Sequence, residues 1–394
     1  MKALGLIVEY NPFHNGHLHH LIESKKKSGA DTVIAVMSGQ FTQRGEPAIA
    51  DKWSRAKMAL DQGIDLVVEL PYAYGVQQGE IFARGAVSIL SHLQVECLVF
   101  GSESGNISQL CGLENLTASH EFQEKLRQYV DLGYNVPRAQ SMALAQMGTY
   151  GEMDQLPNNT LGIQYIRANR ELGYPMEVDT IPRLHSHYQE QAPSHQSITS
   201  ATAIRNLLAA KAPVHDFIPE TVLAKLEADG AVLSWEPYFQ ALRQNILTLG
   251  IEGLRKIHDM KEGLENRFYE NALRAMDFEE FLGLVKTKRY TRTRLQRICA
   301  HILTGTTQEF INNIGLERPV PYVRILGMST SGRIYLNRVK KTMPVPLMSK
   351  FSASAHPILK HEQKVTAAYG FALGSRAWTR LNVDEFTRFP LLKE

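Results

Sequence analysis

Four short hydrophobic runs alternate with helix-like patterns over the first hundred residues. The runs cover residues 4–8, 32–36, 66–70 and 97–100, and helical patterns fill the intervals near 18–27, 52–61 and 79–93. Runs that are hydrophobic throughout and separated by helices are typical of a parallel sheet covered on both faces. Right-handed crossovers then bring the carboxyl ends of the strands, with the loops that follow them, to one crevice.

The pattern after residue 104 is mainly helical. Helices are predicted near 108–117, 119–131, 137–147 and 159–172, with one more strand at 176–181. Beyond residue 213, helical patterns cover 231–249, 252–256, 264–276, 278–287 and 292–304, and two short strands are predicted at 322–325 and 333–335. The expected fold class is therefore α/β: a Rossmann-like domain with a parallel sheet over residues 1–210, then a mainly helical domain over residues 211–394.

Composition points to an ordinary globular protein. The 394 residues are 44% hydrophobic and 21% charged, and no hydrophobic run approaches the roughly 20 residues that span a bilayer. Lys2 leads directly into the first strand, so we expect no signal peptide and no membrane association. The three cysteines are too few and too scattered for a disulfide framework or a zinc site. We expect a cytoplasmic protein with reduced thiols.

The net charge of +3 hides a strong asymmetry. Residues 1–230 hold 18 Lys/Arg against 25 Asp/Glu, a balance of −7, whereas residues 231–394 hold 25 against 15, a balance of +10. Six basic residues concentrate this bias, with Tyr290 among them, and the group is a candidate for polyanion contacts: Lys286, Lys288, Arg289, Tyr290, Arg292, Arg294 and Arg297. A basic half predicts a polyanionic partner, with Tyr290 as a ring on which a base could stack. The alternative is a solvated helix face without a ligand.

Two histidines follow the first strand at a predicted helix start. His14 and His17 are three residues apart with Gly16 between them, so both side chains can face one ligand above the helix N-terminus. That terminus favours anions, and the imidazoles add donors for phosphate oxygens. The pattern is the H-x-G-H signature of the nucleotidyltransferase superfamily, although a metal pair or two surface histidines would look the same locally.

Two further segments complete a predicted nucleotide site. Gly101 and Ser102 end the fourth strand, where glycine permits close approach of a base or ribose. Ser200 begins a helix that offers free N–H groups, the Thr202 hydroxyl and the Arg205 guanidinium. We predict attack on the α-phosphorus of ATP, with His14 and His17 on the phosphates and Thr202 and Arg205 on the leaving pyrophosphate. Mg²⁺ is expected to arrive with the ATP, because no cluster of protein carboxylates has metal-ligand spacing.

A set of motifs resembles the bacterial tRNA(Met) cytidine acetate ligases. They are residues 9–17, 37–39, 43–48, 52–59, 65–71, 100–103, 158–162 and 200–205, in the order found in that family. The resemblance implies that acetate is activated by ATP to acetyl-adenylate with release of pyrophosphate. The N4 amine of the wobble cytidine 34 of elongator tRNA(Met) then takes the acetyl group and releases AMP.

The same resemblance implies a set of ATP contacts. These are Ile7, Val8, Glu9, Tyr10, Asn11, Pro12, Phe13, His14, Asn15, Gly16, His17, Leu18, His19, His20, Gly101, Ser102, Asn158, Asn159, Arg183 and Ser200. Sequence does not choose between the adjacent asparagines, nor does it place the acetate pocket or fix the oligomeric state. Trp53 and Tyr72 are candidates for stacking on the splayed anticodon base.

Two other functions fit parts of the pattern. A small-metabolite adenylyltransferase, acting on a pantetheine- or nicotinamide-nucleotide-like substrate, would share His14, His17 and Arg205 but needs no basic half. A non-catalytic RNA-binding protein on the same scaffold would need the basic half but not the intact histidines.

Overall fold

One twisted sheet runs through the molecule. The computed structural model describes residues 1–148, 156–173, 176–183, 197–230, 232, 234–261, 263–351 and 356–394. Its strands are β1 (Ala3–Val8), β2 (Thr32–Ser38), β3 (Leu66–Leu70), β4 (Cys97–Ser102), β5 (Glu177–Pro182), β6 (Val323–Ser329), β7 (Leu347–Met348) and β8 (Leu391–Lys393). They lie in the order β5-β4-β1-β2-β3-β6-β7, and β8 pairs with β6.

Helices cover the sheet and form most of the second half of the chain. They are α1 (Asn15–Ser28), α2 (Lys52–Asp61), α3 (Tyr72–Gly75), α4 (Gly79–His92), α5 (Ile107–Ala118), α6 (His120–Asp131), α7 (Val136–Gln146), α8 (Pro157–Glu171), α9 (Ala201–Ala209), α10 (Glu220–Asp229), α11 (Phe239–Leu254), α12 (Leu264–Ala272), α13 (Phe278–Val285), α14 (Arg292–Thr304), α15 (Gln308–Ile314), α16 (Thr330–Val339), α17 (Pro357–Tyr369) and α18 (Gly374–Thr387). Within the described ranges, no helix combines the length and the apolar character needed to cross a membrane.

The predicted parallel core of the sheet is confirmed. β1 pairs in parallel with β2 and β4, β2 pairs with β3, and β4 pairs with β5. Almost every residue of β1 to β4 is buried, which is why the runs are hydrophobic at consecutive positions rather than alternate ones. The carboxyl ends of these strands therefore meet along one edge, where the candidate site lies.

The second half of the chain is mainly helical as predicted, but it also extends the sheet. β6 pairs antiparallel with β3 and places Arg324 opposite Glu69. Buried residues from both halves, among them Leu6, Trp53 and Leu295, belong to one hydrophobic cluster. The two halves of the chain are therefore packed around shared core residues.

The strand predicted at residues 333–335 is wrong, because this segment lies inside α16. The Ser329 hydroxyl accepts a hydrogen bond from the Gly332 N–H and begins the helix. Tyr335, Leu336 and Val339 are buried at helical spacing. Ile334 and Tyr335 are residue types that favour strands, but packing against the sheet selected a helix instead.

A buried ion cluster joins the two halves. Lys52 Nζ lies 2.6 Å from Glu69 Oε1 and 2.9 Å from Glu385 Oε1, and Arg324 Nη1 pairs with the same two carboxylates. All four side chains are 3% exposed or less. Burial alone would raise the pKa of Glu385, but Arg324 and Lys52 lower it to about 2. The cluster therefore persists as charged pairs, because each group would be costly to bury alone.

We predict that Arg324→Met lowers the free energy of unfolding by about 3–5 kcal/mol, since two buried carboxylates lose one of the two cations that they share. Urea denaturation followed by tryptophan fluorescence measures this loss.

The matched control is Arg388→Met. The Arg388 guanidinium also lies over the Trp53 ring, 5.5 Å from its centroid against 5.6 Å for Arg324, but it pairs with Asp384 near the surface. We expect a loss below about 1 kcal/mol. Equal losses in the two variants would assign the stabilisation to ring stacking instead.

Candidate functional site

His14 is the cap of α1. Its backbone is extended, and its Nδ1 accepts a hydrogen bond from the Gly16 N–H at 3.0 Å. A nitrogen that accepts cannot carry the ring proton, so the proton of neutral His14 sits on Nε2, where it can be donated to a ligand. The His17 ring lies 3.8 Å from the His14 ring, centroid to centroid, with 31° between the planes. The structure thus brings both histidines to one position at the helix start.

These histidines are neutral. Burial, and after it the positive charges of Arg183 and Arg205, lowers the pKa of His14 to about 3. Burial also lowers the pKa of His17 well below its usual value, with His14 and Arg183 adding to the effect. The imidazoles can therefore act as N–H donors to phosphate, while the positive charge of the site comes from arginine.

Gly16 is required by the protein's own packing. A Cβ atom at this position would lie 2.8 Å from His14 Cε1 and 3.0 Å from His14 Nδ1. Any side chain would push the capping ring away from the helix start. The glycine in this motif therefore makes room for the histidine cap rather than for a ligand ring.

Arg205 is fixed in the same cleft as the histidines. Its guanidinium donates to the Asn11 carbonyl at 2.9 Å, to Glu46 Oε2 at 3.0 Å and to Thr202 Oγ1 at 3.4 Å. Ser200 caps α9 by accepting from the Ala203 N–H, as its position before the helix predicted. Sequence reasoning assigned no role to Glu46, although the 43–48 motif that contains it was noticed.

Gly101 has space around it. A Cβ there would meet Arg183 Cγ at 3.6 Å and His20 Cδ2 at 3.8 Å, both ordinary contacts. Nothing in the protein itself demands glycine, so the open space is available to a ligand. The Ser102 hydroxyl, in contrast, is buried, accepts from Thr180 and the Gly105 N–H, and does not line the cleft.

The two adjacent asparagines have different surroundings. Asn159 is completely buried, and its Oδ1 accepts from the Glu103 and Ser104 N–H groups. Asn158 lines the cleft, and its amide donates to Glu103 Oε1 at 2.6 Å. Asn158 also receives a long hydrogen bond of 3.5 Å from Arg183. Asn158 is thus the asparagine placed to reach a ligand, and Asn159 holds the loop beside it.

The predicted ATP contacts divide between the cleft and the core. Ten residues of 7–20 line the cleft: Ile7, Val8, Glu9, Tyr10, Asn11, His14, Gly16, His17, His19 and His20. Phe13 is fully buried, and Asn15 ties α1 to the chain ahead of α10 by donating to the Ser197 and Asp216 carbonyls. The contiguous motif therefore combines lining residues with residues that hold them in place.

The basic run reaches the same cleft. Arg289, Arg294 and Arg297 line it together with the histidines. Arg294 pairs with Asp259 at 3.0 Å, and its guanidinium lies 4.9 Å from the centre of the buried Tyr290 ring. Lys286, Lys288 and Arg292 lie outside the lining, and Arg292 donates to Glu279 at 2.6 Å.

Two aromatic candidates for base stacking were wrong. Trp53 and Tyr72 are only 1% and 2% exposed. Trp53 lies beneath the Arg324 and Arg388 guanidinium groups, and Tyr72 is hydrogen-bonded to His301. Both rings belong to the core, because tertiary packing covers the side chains that follow β2 and β3.

The resulting cleft is large and positive. It encloses about 1380 Å³, and its lining carries eight Lys/Arg against four Asp/Glu residues. Sequence reasoning gave no role to three further lining residues: Arg44, which lies inside the 43–48 motif, and Arg138 and Lys261, which lie in no motif. In the described ranges, no group of three or more His, Cys, Asp or Glu side chains is arranged to hold a metal ion.

A glycine contact joins the two walls of the cleft. Gly45 has a φ of 80°, and a Cβ there would lie 2.6 Å from the Arg297 backbone nitrogen. The loop that holds Arg44 and Glu46 is therefore seated directly on α14. Through Glu46 and Arg205, this contact links α14 to α9.

Comparison with known proteins gives a consistent set of relatives. Residues 1–381 match the family described as HIGH Nucleotidyl Transferase. The chain is 43% identical to the tRNA(Met) cytidine acetate ligase of Geobacillus sp. (strain WCH70), with 100% of both chains covered. It superposes on the crystal structure of Thermotoga maritima TmcAL (apo, form I) with a TM-score of 0.91 at 31% identity. The form of that protein bound with alpha-thio ATP gives a TM-score of 0.88. Each superposition covers 100% of this chain and 99% of the other.

We predict that Gly101→Ala weakens ATP binding by about 10- to 100-fold without loss of stability, because a methyl group in ligand space costs about 1–3 kcal/mol only when the ligand is present. Isothermal titration with ATP and a thermal melt measure the two effects.

The control is Gly112→Ala on α5, where a Cβ has no neighbour within 4 Å. It should leave ATP affinity unchanged. If Gly101→Ala binds ATP as tightly as the wild type, the ligand does not use the space beside Arg183 and His20.

Proposed function

Because this chain belongs to the HIGH nucleotidyl transferase family and, within it, to the tRNA(Met) cytidine acetate ligases, we propose that it acetylates a cytidine of tRNA(Met) in an ATP-dependent reaction. The first step joins an acetate oxygen to the α-phosphorus of ATP and releases pyrophosphate. In the second step, the N4 amine of the wobble cytidine attacks the acetyl carbon and releases AMP. N4-acetylcytidine is the product.

One observation carries this proposal: the nucleotide site and the basic residues share a single cleft. His14 and His17 line it from the first half of the chain, and Arg289, Arg294 and Arg297 line it from the second half. An acyl-adenylate is reactive, so the base that receives the acetyl group has to reach the place where the adenylate forms. A small-metabolite adenylyltransferase would not need arginines from α14 and the segment before it in the same cleft.

The donors in the site match an adenylyl-transfer transition state. His14 Nε2 and the His17 ring are neutral donors for oxygens of the reacting phosphate, where negative charge accumulates. Arg205 is held by Asn11, Glu46 and Thr202, and in this proposal Arg205 and Thr202 stabilise the departing pyrophosphate. Because these groups are fixed before the ligand arrives, little reorganisation is needed during the reaction.

In this proposal, the nucleoside end of ATP lies beside Gly101, away from Thr202 and Arg205. Gly101 leaves a space bordered by Arg183 and His20, and Asn158 contacts Arg183. Mg²⁺ would bind the phosphate oxygens of ATP and neutralise part of their charge. The protein then has to supply a donor-rich wall for the remaining phosphate charge, which these residues provide.

The reaction is tested by incubating the protein with labelled acetate, ATP and bulk bacterial tRNA, then digesting the tRNA to nucleosides. We expect label in N4-acetylcytidine and formation of AMP and pyrophosphate. Label absent from cytidine, while ATP is still consumed in an acetate-dependent manner, would redirect the search to another acceptor.

We predict that Arg289→Ala with Arg294→Ala weakens tRNA binding. The slope of log K against log salt should fall by about 1 for each phosphate group that the variant no longer neutralises. Acetyl-adenylate formation should be unchanged, because neither residue lies at the histidine wall. Filter binding at several salt concentrations and acetate-dependent ATP–pyrophosphate exchange measure the two effects.

Arg292→Ala is the matched control, since it removes a neighbouring positive charge that pairs with Glu279 outside the cleft. It should change the salt slope little. A slope that drops only in the control would place the tRNA on the outer face of α14.

A further inference from the structure

Glu9 carries a hydrogen-bond acceptor, a carboxylate, in a cleft where the histidines and arginines are donors. It follows β1, and strand alternation places its side chain on the face of Ile7, opposite the face that β1 presents to α1. Its Oε1 accepts from the Gln43 N–H at 2.7 Å, and its carbonyl accepts from Arg55 at 2.6 Å. Within the described ranges, the carboxylate makes no other hydrogen bond, and it lines the cleft.

The wall around Glu9 is aromatic and rich in acceptors. Phe82, Phe100 and Tyr165 line the same cleft as Glu9, and the Phe100 and Tyr165 rings are 5.6 Å apart. The charge of Glu9 reaches Tyr165, whose pKa is raised first by burial and then by that carboxylate. Gln164, the next residue, presents a buried Oε1 that has no hydrogen-bond partner among the described residues.

Glu9 is held from the β2 side of β1. Gln43, which fixes Glu9, follows β2, and its amide donates to the Gln77 carbonyl at 2.6 Å. Gly101, Arg183 and His20 lie at the end of β4, on the other side of β1. Arg44 and Arg297, which meet at Gly45, are on the β2 side. A nucleotide base entering past the arginines would therefore meet Glu9 before the adenosine space.

The negative charge of Glu9 disfavours the phosphates of ATP and the carboxylate of acetate as its partners. The carboxylate is suited to a group that brings N–H donors, and the exocyclic amine of cytosine is such a group, for which Glu and Asp are the matching acceptors. The aromatic surroundings would accept the flat base.

We propose that Glu9 holds the N4 amine of the acceptor cytidine and takes its proton during acetyl transfer. This proposal rests on the proposed function and assigns the acceptor end of the same cleft. The amine lone pair is delocalised into the ring, so removal of a proton as the new bond forms lowers the barrier.

The step balances without a further reagent. The N4 nitrogen forms a bond to the acetyl carbon, and the bond from that carbon to the phosphate oxygen breaks. The oxygen keeps the electron pair and leaves as part of AMP, stabilised by the His14 and His17 donors. One N4 proton moves to a Glu9 carboxylate oxygen and from there to water.

The electrostatics of the site support a basic carboxylate. Burial raises the pKa of Glu9, whereas the Gln43 N–H, Arg44 and Arg205 lower it and Glu46 raises it. The net shift is upward, so the carboxylate is a stronger base than an exposed one. The ionised form is needed, and the transfer rate should therefore fall as pH drops through this raised pKa.

The test is Glu9→Gln, which keeps the size and the bond from the Gln43 N–H but cannot take a proton. Acetate-dependent ATP–pyrophosphate exchange should stay within about threefold of the wild type, while single-turnover transfer from preformed acetyl-adenylate to tRNA should fall about 10²- to 10⁴-fold. The acid limb of the transfer rate should vanish. Glu9→Asp should keep that limb at a reduced rate.

Glu80→Gln is the matched control, because it removes another carboxylate from the cleft lining, one whose ion pair among the described residues is with Arg84, at 3.9 Å. It should leave both steps unchanged. Equal losses of exchange and transfer in Glu9→Gln, or an unaltered acid limb, would overturn the proposal and make Glu9 a support for the Gln43 loop. Failure of the wild type to label cytidine would instead count against the proposed function, so the two failures are distinguishable.

Discussion

The buried pairing of Lys52 and Arg324 with Glu69 and Glu385 is the constraint on which the arrangement of the two halves depends. Lys52 and Glu69 come from the parallel sheet and its helix, whereas Arg324 and Glu385 come from β6 and α18. Lys52 pairs with Glu385 and Arg324 pairs with Glu69 across the two halves, so the full set of buried ion pairs forms only when both halves are in place. That requirement fixes β6 on the edge of the sheet. It also keeps α14, which shares the core, beside the carboxyl ends of the strands.

The consequence is a cleft whose walls differ in hydrogen-bonding character. The side formed by α1 and α9 offers donors, from the neutral histidines to the positively charged Arg205. The side around Glu9 offers acceptors set among aromatic rings. Two-step acyl transfer needs both kinds of wall, because its first half stabilises phosphate charge and its second half removes a proton from an amine. A site for adenylyl transfer alone would need only the first.

The histidines are neutral because the site is buried and already holds positively charged arginines. Arg183 and Arg205 already supply positive charge near His14, and burial removes the water that would stabilise an imidazolium. One ring nitrogen of His14, Nδ1, accepts the hydrogen bond that caps the helix, and Nε2 is available to a ligand. The motif therefore works by orientation: a glycine that admits the ring, a cap that sets the tautomer, and a helix start that supplies further N–H groups.

Several features could be predicted from the sequence because they depend on neighbours within a few residues. The hydrophobic runs define β1 to β4, the hydroxyl before α9 defines a cap, and His14-x-Gly16-His17 defines the start of α1 with both histidines beside it. The charge asymmetry and the motif order indicated the RNA-related family.

Other features depend on residues far away in the chain. Asn158 and Asn159 are equivalent in sequence, yet packing buries one and exposes the other to the cleft. Arg289 and Arg292 look alike, but only Arg289 lines the cleft, whereas Arg292 pairs with Glu279. Trp53 and Tyr72 are aromatic residues near the strand ends, yet the core covers both. Local pattern determines caps, strands and turns, because hydrogen bonds and side-chain alternation act over short spans. The direction in which a polar side chain finally points was decided only by the tertiary structure, since its partners come from other parts of the chain.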